Sequence, residues 1–418
     1  MHLPKLHLRV STLLAAIYVV LALTLSGIPG WSHLISLVLA LLLAVSVADA
    51  ARGRLVVAGW VWAPTSFLVI CVLWSILNWE KSVTSLLSTG VAWIGALVVA
   101  IRVQNGLQVQ LVLRAIIVAS AINAVAVLIG FDAYLLYAAD FSKISEEALA
   151  RRASGLLGNS NALAIQAILP LFALALWKEG IGRVTWTVGI VCAVYVLAVS
   201  GSRKGLYLAL LAVPFIAYAL PSGRFRNALL TAGVLALAVF GVVVFGNSAD
   251  ALPPSLADLE VLRRVELAIA GVDTSVLHRR ELVDSGIEAF LGSPLYGYGL
   301  DTFRWVAGGG YYAHNNLVEL AVNGGLVMTA SYYYLYVLSA VRANRAHSLR
   351  DHKRILHWAL LIVMLSLEFG FVSYRDRFFV LLLMLMVMVP PSTQLKRVAW
   401  QGSRSSVRRR DYAHVDGS

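Results

Sequence analysis

The sequence predicts an all-α integral membrane protein of about twelve transmembrane helices, with a large helical loop outside the membrane before the last group of helices. Of the 418 residues, 59% are hydrophobic and 13% are charged, whereas soluble domains carry about 25% charged residues. Apolar stretches recur that are long enough to cross the hydrocarbon core as helices. The predicted spans are 10–29, 31–48, 55–75, 82–101, 111–130, 161–177, 184–199, 204–220, 227–246, 315–340, 355–374 and 378–391.

The distribution of lysine and arginine predicts the orientation of these spans. With the N-terminus inside, the inner segments hold 21 of the 34 basic residues and 5 of the 22 acidic residues. Positively charged connections stay in the cytoplasm, so both termini are predicted to be cytoplasmic. The basic tail 392–418 is expected to face anionic lipid headgroups. The net charge of +12 therefore reflects membrane topology and does not indicate nucleic-acid binding.

Two outer connections are long, at 131–160 and 247–314. We treat the chain as one polytopic domain that carries these loops, since long loops often hold functional residues. Within the second loop, Val283, Ile287 and Phe290 recur at helical spacing, which predicts an amphipathic helix over 279–291.

The sequence does not predict a metal or another cofactor. Both cysteines, Cys71 and Cys192, fall inside apolar spans and are expected to be packing residues. The sequence contains no CxxC or HExxH pattern and no cluster with metal-ligand spacing.

His314 is the first candidate for chemistry. It precedes an apolar span on the predicted outer side, and Asn315 and Asn316 could cap the helix that follows. The positive end of a helix favours neutral imidazole, which can accept a proton from a hydroxyl nucleophile. A purely structural histidine is the alternative.

Positively charged candidates occur in two further outer segments. Ser202 is a possible N-cap, followed by Arg203 and Lys204, and these cations with helix amides could bind a phosphate. Alternatively, Arg203 and Lys204 reach lipid headgroups. On a helical wheel Arg279 lies on the apolar face, whereas Arg280 lies at its edge and could form a surface pair with Asp284.

Polar residues also lie at the entrance to the sixth span and inside the eleventh span. Arg152, Asn159 and Asn161 close the first long loop, and helix capping accounts for one asparagine more readily than for all three residues. Glu368 is an intramembrane carboxylate, which indicates either function or pairing with Arg375 or Arg377.

One base and several arginines at the outer face suit a lipid-linked diphosphate, whose developing charge the arginines would stabilise.

The motifs SGSRKGL (200–206), RRELVDSGIEAFLGSPLYGYGLDTF (279–303) and AHNNLVELAVNGGL (313–326), preceded by RRASGLLGNSNALA (151–164), resemble the O-antigen ligase/polymerase superfamily. Within it the sequence is most similar to the O-antigen ligases. The resemblance implies a GT-C-type, metal-independent, inverting transferase in the inner membrane of a Gram-negative bacterium. Such an enzyme moves polysaccharide from undecaprenyl diphosphate to lipid A–core at the periplasmic face, among membrane lipids.

The resemblance also implies roles for individual residues. His314 matches the family's essential histidine, and Arg203 and the pair Arg279–Arg280 match its diphosphate-binding arginines. The candidate substrate-binding residues are Arg152, Asn159, Asn161, Ser202, Lys204, Tyr298, Asn315, Asn316 and Glu319.

Three other functions fit parts of the same pattern. An O-antigen polymerase uses a second lipid-linked glycan as acceptor, and a protein O-oligosaccharyltransferase uses serine or threonine, with the same donor chemistry. A lipid-linked glycan transporter would also have about twelve spans, but its polar groups are expected near the midplane and in repeated halves.

Overall fold

The computed structural model describes residues 3–131 except 29, 77 and 106, residues 153–219, 274–346 and 351–388, and the single positions 223, 227 and 231. Every regular element among these residues is helical, with no strand. The α-helices, numbered α1 to α13, are Leu3–Thr24, Ser32–Ala51, Trp62–Ile76, Trp79–Gln104, Val109–Leu128, Ser160–Leu176, Arg183–Ser200, Arg203–Ala219, Thr274–Gly292, Phe303–Val306, Asn316–Ala346, His352–Glu368 and Arg377–Met388.

The chain is an α-helical, multi-pass membrane protein. In the described part of the chain, five helical stretches have the length and composition to cross a membrane: Ser32–Ala51, Gly59–Ile76, Trp79–Gln104, Val109–Leu128 and Arg183–Ser200. Shorter apolar helices are Val10–Thr24, Ser160–Leu176 and Arg377–Met388. The predicted spans 204–220, 315–340 and 355–374 overlap α8, α11 and α12, although α12 ends at Glu368. The span 227–246 lies outside the described helices, so the total of about twelve stays a prediction.

Helices α6 and α13 form the centre of the bundle. Residues 163–176 of α6 and 378–388 of α13 are all buried. Helix α6 packs against α5, α7 and α8, while α13 packs against α4 and α11. A helix that is apolar on every side is stable only when it is surrounded by protein or lipid. These two short helices therefore owe their burial to the helices around them.

Segments predicted to share the inner side meet at one end of the helices. Arg102 pairs with Asp49 at 2.6 Å, and both side chains are buried. Lys353 pairs with Glu179 at 2.7 Å across two connections. The contacts agree with the grouping of these segments, while their assignment to the cytoplasm remains a prediction.

Helix α11 is interrupted in its N-terminal third. Gly325 has φ 59° and ψ −158°, outside the helical region. The carbonyls of Val322 and Asn323 accept hydrogen bonds from the amides of Tyr298 and Gly299, at 2.9 and 2.7 Å. Backbone groups at membrane depth must be satisfied within the protein. The interruption therefore fastens the loop after α9 to α11.

The same loop is attached to α4 and to the connection before α13. The Ser82 hydroxyl donates to the carbonyl of Leu300 at 2.6 Å. Asp301, which is 4% exposed, accepts hydrogen bonds from Arg375 at 2.7 Å and Arg304 at 3.0 Å. A carboxylate with this many charge-assisted partners is held in one geometry. The loop that leads to His314 thus has several fixed points.

The amphipathic helix predicted at 279–291 lies within α9, but its buried face differs from the prediction. Leu282 is 4% exposed, whereas Ile287 is 49% exposed. A side-chain carbon added to Gly286 would lie 2.4 Å from a methyl carbon of Val318. Because glycine permits this close approach, α9 faces α11 along Leu282 and Gly286, and Ile287 points away.

We expect Gly325→Ala to destabilise the protein by about 1–3 kcal/mol, because alanine is strained at positive φ and its methyl group would lie 2.3 Å from the Leu295 backbone. The apparent Tm in detergent measures this loss. Gly90→Ala is the matched control, since Gly90 lies inside α4 with no atom within 4 Å of the added carbon. Equal Tm values for the two variants would contradict the packing described for Gly325.

Candidate functional site

His314 lies in the turn that leads into α11. Its φ of 54° is in the left-handed region, which non-glycine residues seldom adopt. The Asn315 side chain accepts a hydrogen bond from the amide of Val318 at 3.2 Å and caps the helix. The Glu319 carboxylate accepts a hydrogen bond from the amide of Ala313 at 2.7 Å. These bonds on both sides of His314 hold its strained backbone in place.

Positive charge surrounds the His314 imidazole. Burial lowers the pKa of His314 from 6.5 to about 3, and the positive charges of Arg279, Lys204 and His278 contribute to the decrease. Both effects disfavour the protonated ring. The imidazole is therefore neutral at physiological pH. The first turn of α8 and helix α9 supply these charged groups.

Lys204 is placed by the start of α8. The Ser202 side chain accepts a hydrogen bond from the amide of Gly205 at 3.2 Å, as expected for an N-cap, and donates to the Asn161 side chain at 2.9 Å. The Lys204 ammonium donates to the carbonyl of Gly370. It also lies 5.8 Å from the centre of the Phe371 ring. Lys204 thus joins α8 to the connection after α12.

The role of Arg203 stays a prediction. It is the first residue of α8 and is half-buried, and the described charges that lower the pKa of His314 are those of Arg279, Lys204 and His278. Of the two adjacent cations, Lys204 is therefore the one with a described electrostatic effect on the histidine.

Arg279 and Arg280 are distinguished by their environments. Arg279 is half-buried and acts electrostatically on His314 and Tyr312, whereas Arg280 is exposed. The sequence left open which of the two faces the site. The structure brings Arg279 to the histidine and leaves Arg280 at the surface.

Asn159 and Tyr312 form another wall of the site. The Asn159 side chain caps α6 by accepting hydrogen bonds from the amides of Asn161 and Ala162, and it also hydrogen-bonds the hydroxyl of Tyr312. Burial raises the pKa of Tyr312, and Arg279 acts in the opposite direction. The rings of Tyr312 and His314 have centroids 4.1 Å apart. Asn159 therefore reaches the histidine through this tyrosine.

Three residues expected to bind substrate are engaged with the protein itself. Asn316 and Glu319 are 0% exposed, so neither presents a surface to a ligand. Asn316 accepts hydrogen bonds from the amides of Ser373 and Tyr374 at 3.0 and 3.1 Å. Both side chains position the backbone near the site. They cannot reach a substrate in this conformation.

Tyr298 is the third of these residues. Its hydroxyl donates to the carbonyl of Ala289 at 3.1 Å, and its amide binds the interrupted part of α11. Tyr298 is half-buried against α9. Tyr298 therefore packs between α9 and α11, and none of its described contacts is with His314.

Two further predictions have different outcomes. Arg152 lies outside the described residues. Glu368, for which pairing with Arg375 or Arg377 was an alternative, instead accepts hydrogen bonds from hydroxyl groups. Arg375 pairs with Asp301, because the loop after α9 brings that carboxylate closer to the arginine than α12 does.

Sequence reasoning missed Tyr312 and His278 as members of the site. Tyr312 belongs to the glycine-rich segment just before His314, and its spacing of two residues from the histidine was a usable signal. His278 directly precedes Arg279 in α9, and its ring lies 5.0 Å from that of Tyr311 at 82°. The packing of α9 against α11 brings His278 to the site together with Arg279, and the sequence did not predict this packing.

The site combines a neutral base with fixed cations and exposes no clustered carboxylates of its own. Among the described residues, no group of three or more His, Cys, Asp or Glu side chains could hold a metal ion. Arg279 and Lys204 can bind an anion and stabilise negative charge as it develops. The imidazole can accept a proton. This combination suits a displacement reaction with an anionic leaving group.

We expect Arg279→Ala to raise the pKa of His314, because the variant removes a positive charge that opposes protonation. Burial contributes more than any of the charges, so the pKa should stay below 6.5. Titration of 13C-labelled histidine by NMR measures it. Arg280→Ala is the control and should change this pKa less. An Arg280→Ala shift as large as that of Arg279→Ala would contradict the placement of the two arginines.

Comparison with known proteins agrees with this geometry. Residues 188–333 match a family model described as O-antigen ligase. The match covers about a third of the chain and includes His314, Arg279 and Lys204. No curated protein matched the chain. Residues 188–333 of the chain are therefore similar to the O-antigen ligase family.

Proposed function

We propose that the protein transfers O-antigen polysaccharide from undecaprenyl diphosphate to lipid A–core oligosaccharide at the periplasmic face of the inner membrane. It would be an inverting glycosyltransferase of the GT-C type that requires no metal. The observation that carries the proposal is the meeting of a neutral His314 with the cations Arg279 and Lys204 inside an O-antigen ligase domain.

The cations would bind the diphosphate of the donor. A guanidinium offers paired N–H donors to phosphate oxygens, and an ammonium offers a point charge. The start of α8, capped by Ser202, adds amide groups and the positive end of a helix dipole. Negative charge grows on the diphosphate as it leaves, so these groups stabilise the transition state more than the ground state.

The transfer would proceed in one displacement. The acceptor hydroxyl gives its proton to the His314 imidazole, and its oxygen forms a bond to the anomeric carbon of the donor. The bond between that carbon and the diphosphate oxygen breaks, and undecaprenyl diphosphate leaves with the bonding electrons. Attack from the face opposite the leaving group inverts the anomeric configuration, as in inverting glycosidases.

Donor binding would also activate the base. An imidazole whose pKa is about 3 is a weak proton acceptor at neutral pH, because efficient general bases have a pKa near the working pH. A bound diphosphate offsets the charges of Arg279 and Lys204 and so raises the pKa of His314. The base would therefore become effective when the donor is in place.

The ligase is favoured over the related activities by the description of the matched family. A polymerase or a protein O-oligosaccharyltransferase would use the same donor chemistry. The acceptor distinguishes them, so it must be varied in the experiment.

We expect His314→Ala to lower transfer by about 10²- to 10⁴-fold, the usual contribution of a general base, while donor binding survives. Arg279→Ala and Lys204→Ala should instead weaken donor binding, by about tenfold or more each, because hydrogen bonds to charged groups are lost. Proteoliposomes with lipid-linked glycan and lipid A–core measure transfer, and binding of the labelled donor is measured separately.

His33→Ala serves as the control for histidine loss, since His33 is exposed at the start of α2. Normal turnover by His314→Ala would disprove the role of this histidine as the base. Transfer by the wild type to a second lipid-linked glycan or to a peptide, but not to lipid A–core, would identify the polymerase or the protein-glycosylating activity. Donor binding without transfer to any of these acceptors would favour transport.

We further expect inorganic diphosphate to raise the pKa of His314, because the added negative charge favours imidazolium. The same NMR titration, with and without diphosphate, measures the increase. The effect should be smaller in Lys204→Ala, which has lost one of the groups that would hold the anion. A pKa that does not respond to diphosphate in the wild type would contradict the coupling between donor and base.

A further inference from the structure

Tyr312 packs directly against the proposed base. Its ring and the imidazole of His314 have centroids 4.1 Å apart and are tilted by 44°. Tyr312 belongs to the glycine-rich segment before α11 and is half-buried. The phenol hydroxyl is attached to the ring that contacts the imidazole, so it belongs to the same site.

Asn159 binds the oxygen of the Tyr312 hydroxyl. Its own Oδ1 accepts hydrogen bonds from the amides of Asn161 at 2.9 Å and Ala162 at 3.2 Å, which leaves the N–H₂ group of Asn159 for the tyrosine. Burial raises the pKa of Tyr312, and the hydrogen bond with Asn159 acts in the opposite direction, as does any bond donated to a phenol oxygen. The N–H₂ group of Asn159 is therefore the donor, and the tyrosine oxygen accepts.

The hydrogen of the Tyr312 hydroxyl is left for another partner. A phenol oxygen that accepts one hydrogen bond can still donate its own hydrogen. The Glu319 carboxyl group also acts electrostatically on Tyr312, but its Oε2 binds the amide of Ala313 and its Oε1 has no partner. In the part of the chain that the structure describes, no hydrogen bond uses the Tyr312 hydrogen.

The charges around Tyr312 indicate which group accepts this hydrogen. Arg279 acts electrostatically on both Tyr312 and His314, so the hydroxyl and the imidazole share one cation. An anion that binds Arg279 would bring its oxygen atoms beside the hydroxyl. Ionised oxygens are strong acceptors, and O–H···O⁻ bonds are shorter than bonds between neutral groups.

We propose that Tyr312 is a further catalytic residue, whose hydroxyl group donates a hydrogen bond to an oxygen of the bound diphosphate. The inference rests on the proposed function and adds an uncharged donor to the two cations. Negative charge grows on the diphosphate as it leaves, so this bond strengthens in the transition state. One side chain then contacts the base through its ring and the leaving group through its hydroxyl.

An uncharged donor has a specific advantage beside His314. Positive charges near the imidazole lower its pKa, and a third cation in place of Tyr312 would lower it further. A hydroxyl group stabilises the leaving diphosphate without this effect on the base. The residue next to the imidazole can therefore serve the leaving group and leave the imidazole able to accept a proton.

The test is Tyr312→Phe, which removes the hydroxyl and keeps the ring against His314. Inorganic diphosphate is titrated into the full-length protein in detergent, and the NMR signal of 13C-labelled His314 reports binding. We expect the Kd to rise about tenfold or more, as for loss of a hydrogen bond to a charged group. In proteoliposomes, kcat/KM for the lipid-linked donor should fall at least as much, with KM for lipid A–core unchanged.

Tyr311→Phe is the matched control. It makes the same chemical change at the preceding residue, which is 58% exposed and contacts His278. This variant should keep the wild-type Kd for diphosphate and the wild-type kcat/KM. The apparent Tm in detergent, compared between the two variants, shows whether loss of either hydroxyl changes the stability of the fold.

Asn159→Ser tests the orientation of the hydroxyl. Serine keeps an oxygen for the amides at the start of α6 but has no N–H₂ group for the tyrosine oxygen. The Kd for diphosphate should therefore rise, and Tyr312→Phe should raise it less in this background than in the wild type. Fully additive effects of the two changes would overturn the orienting role of Asn159.

The outcomes separate this inference from the proposed function. A wild-type Kd and kcat/KM in Tyr312→Phe overturn the inference alone. A rise only in KM for lipid A–core overturns it as well and assigns the hydroxyl to the acceptor. A wild-type protein that binds diphosphate but transfers no glycan to lipid A–core contradicts the proposed function, while the Kd of Tyr312→Phe still decides whether the hydroxyl binds the anion.

Discussion

Backbone N–H and C=O groups outside a regular helix at membrane depth must find hydrogen-bond partners within the protein. This requirement organises the outer end of the molecule. The interruption of α11 leaves carbonyls that the amides of Tyr298 and Gly299 occupy. Asn316 accepts from two amides of the connection before α13. The turn at His314 lies between these fixed points, so these hydrogen bonds of the backbone determine the geometry of the site.

The electrostatics of the site follow from the same arrangement. Helix α9 places Arg279 beside the turn, and the capped start of α8 places Lys204 there. Cations near a half-buried imidazole keep it neutral. The nearby buried carboxylate Asp301 pairs with two other arginines, Arg375 and Arg304.

The sequence alone determined the helical membrane fold and the bounds of most helices to within a few residues, and it singled out His314 as a candidate, because hydropathy, capping residues and short motifs are local properties. Tertiary structure decided which side chains meet. It placed the charges of Lys204 and Arg279 near the histidine and left Arg280 exposed. It also buried Asn316 and Glu319 and turned the Leu282 and Gly286 face of α9 toward α11. These outcomes depend on contacts between segments distant in the chain, which no local pattern encodes.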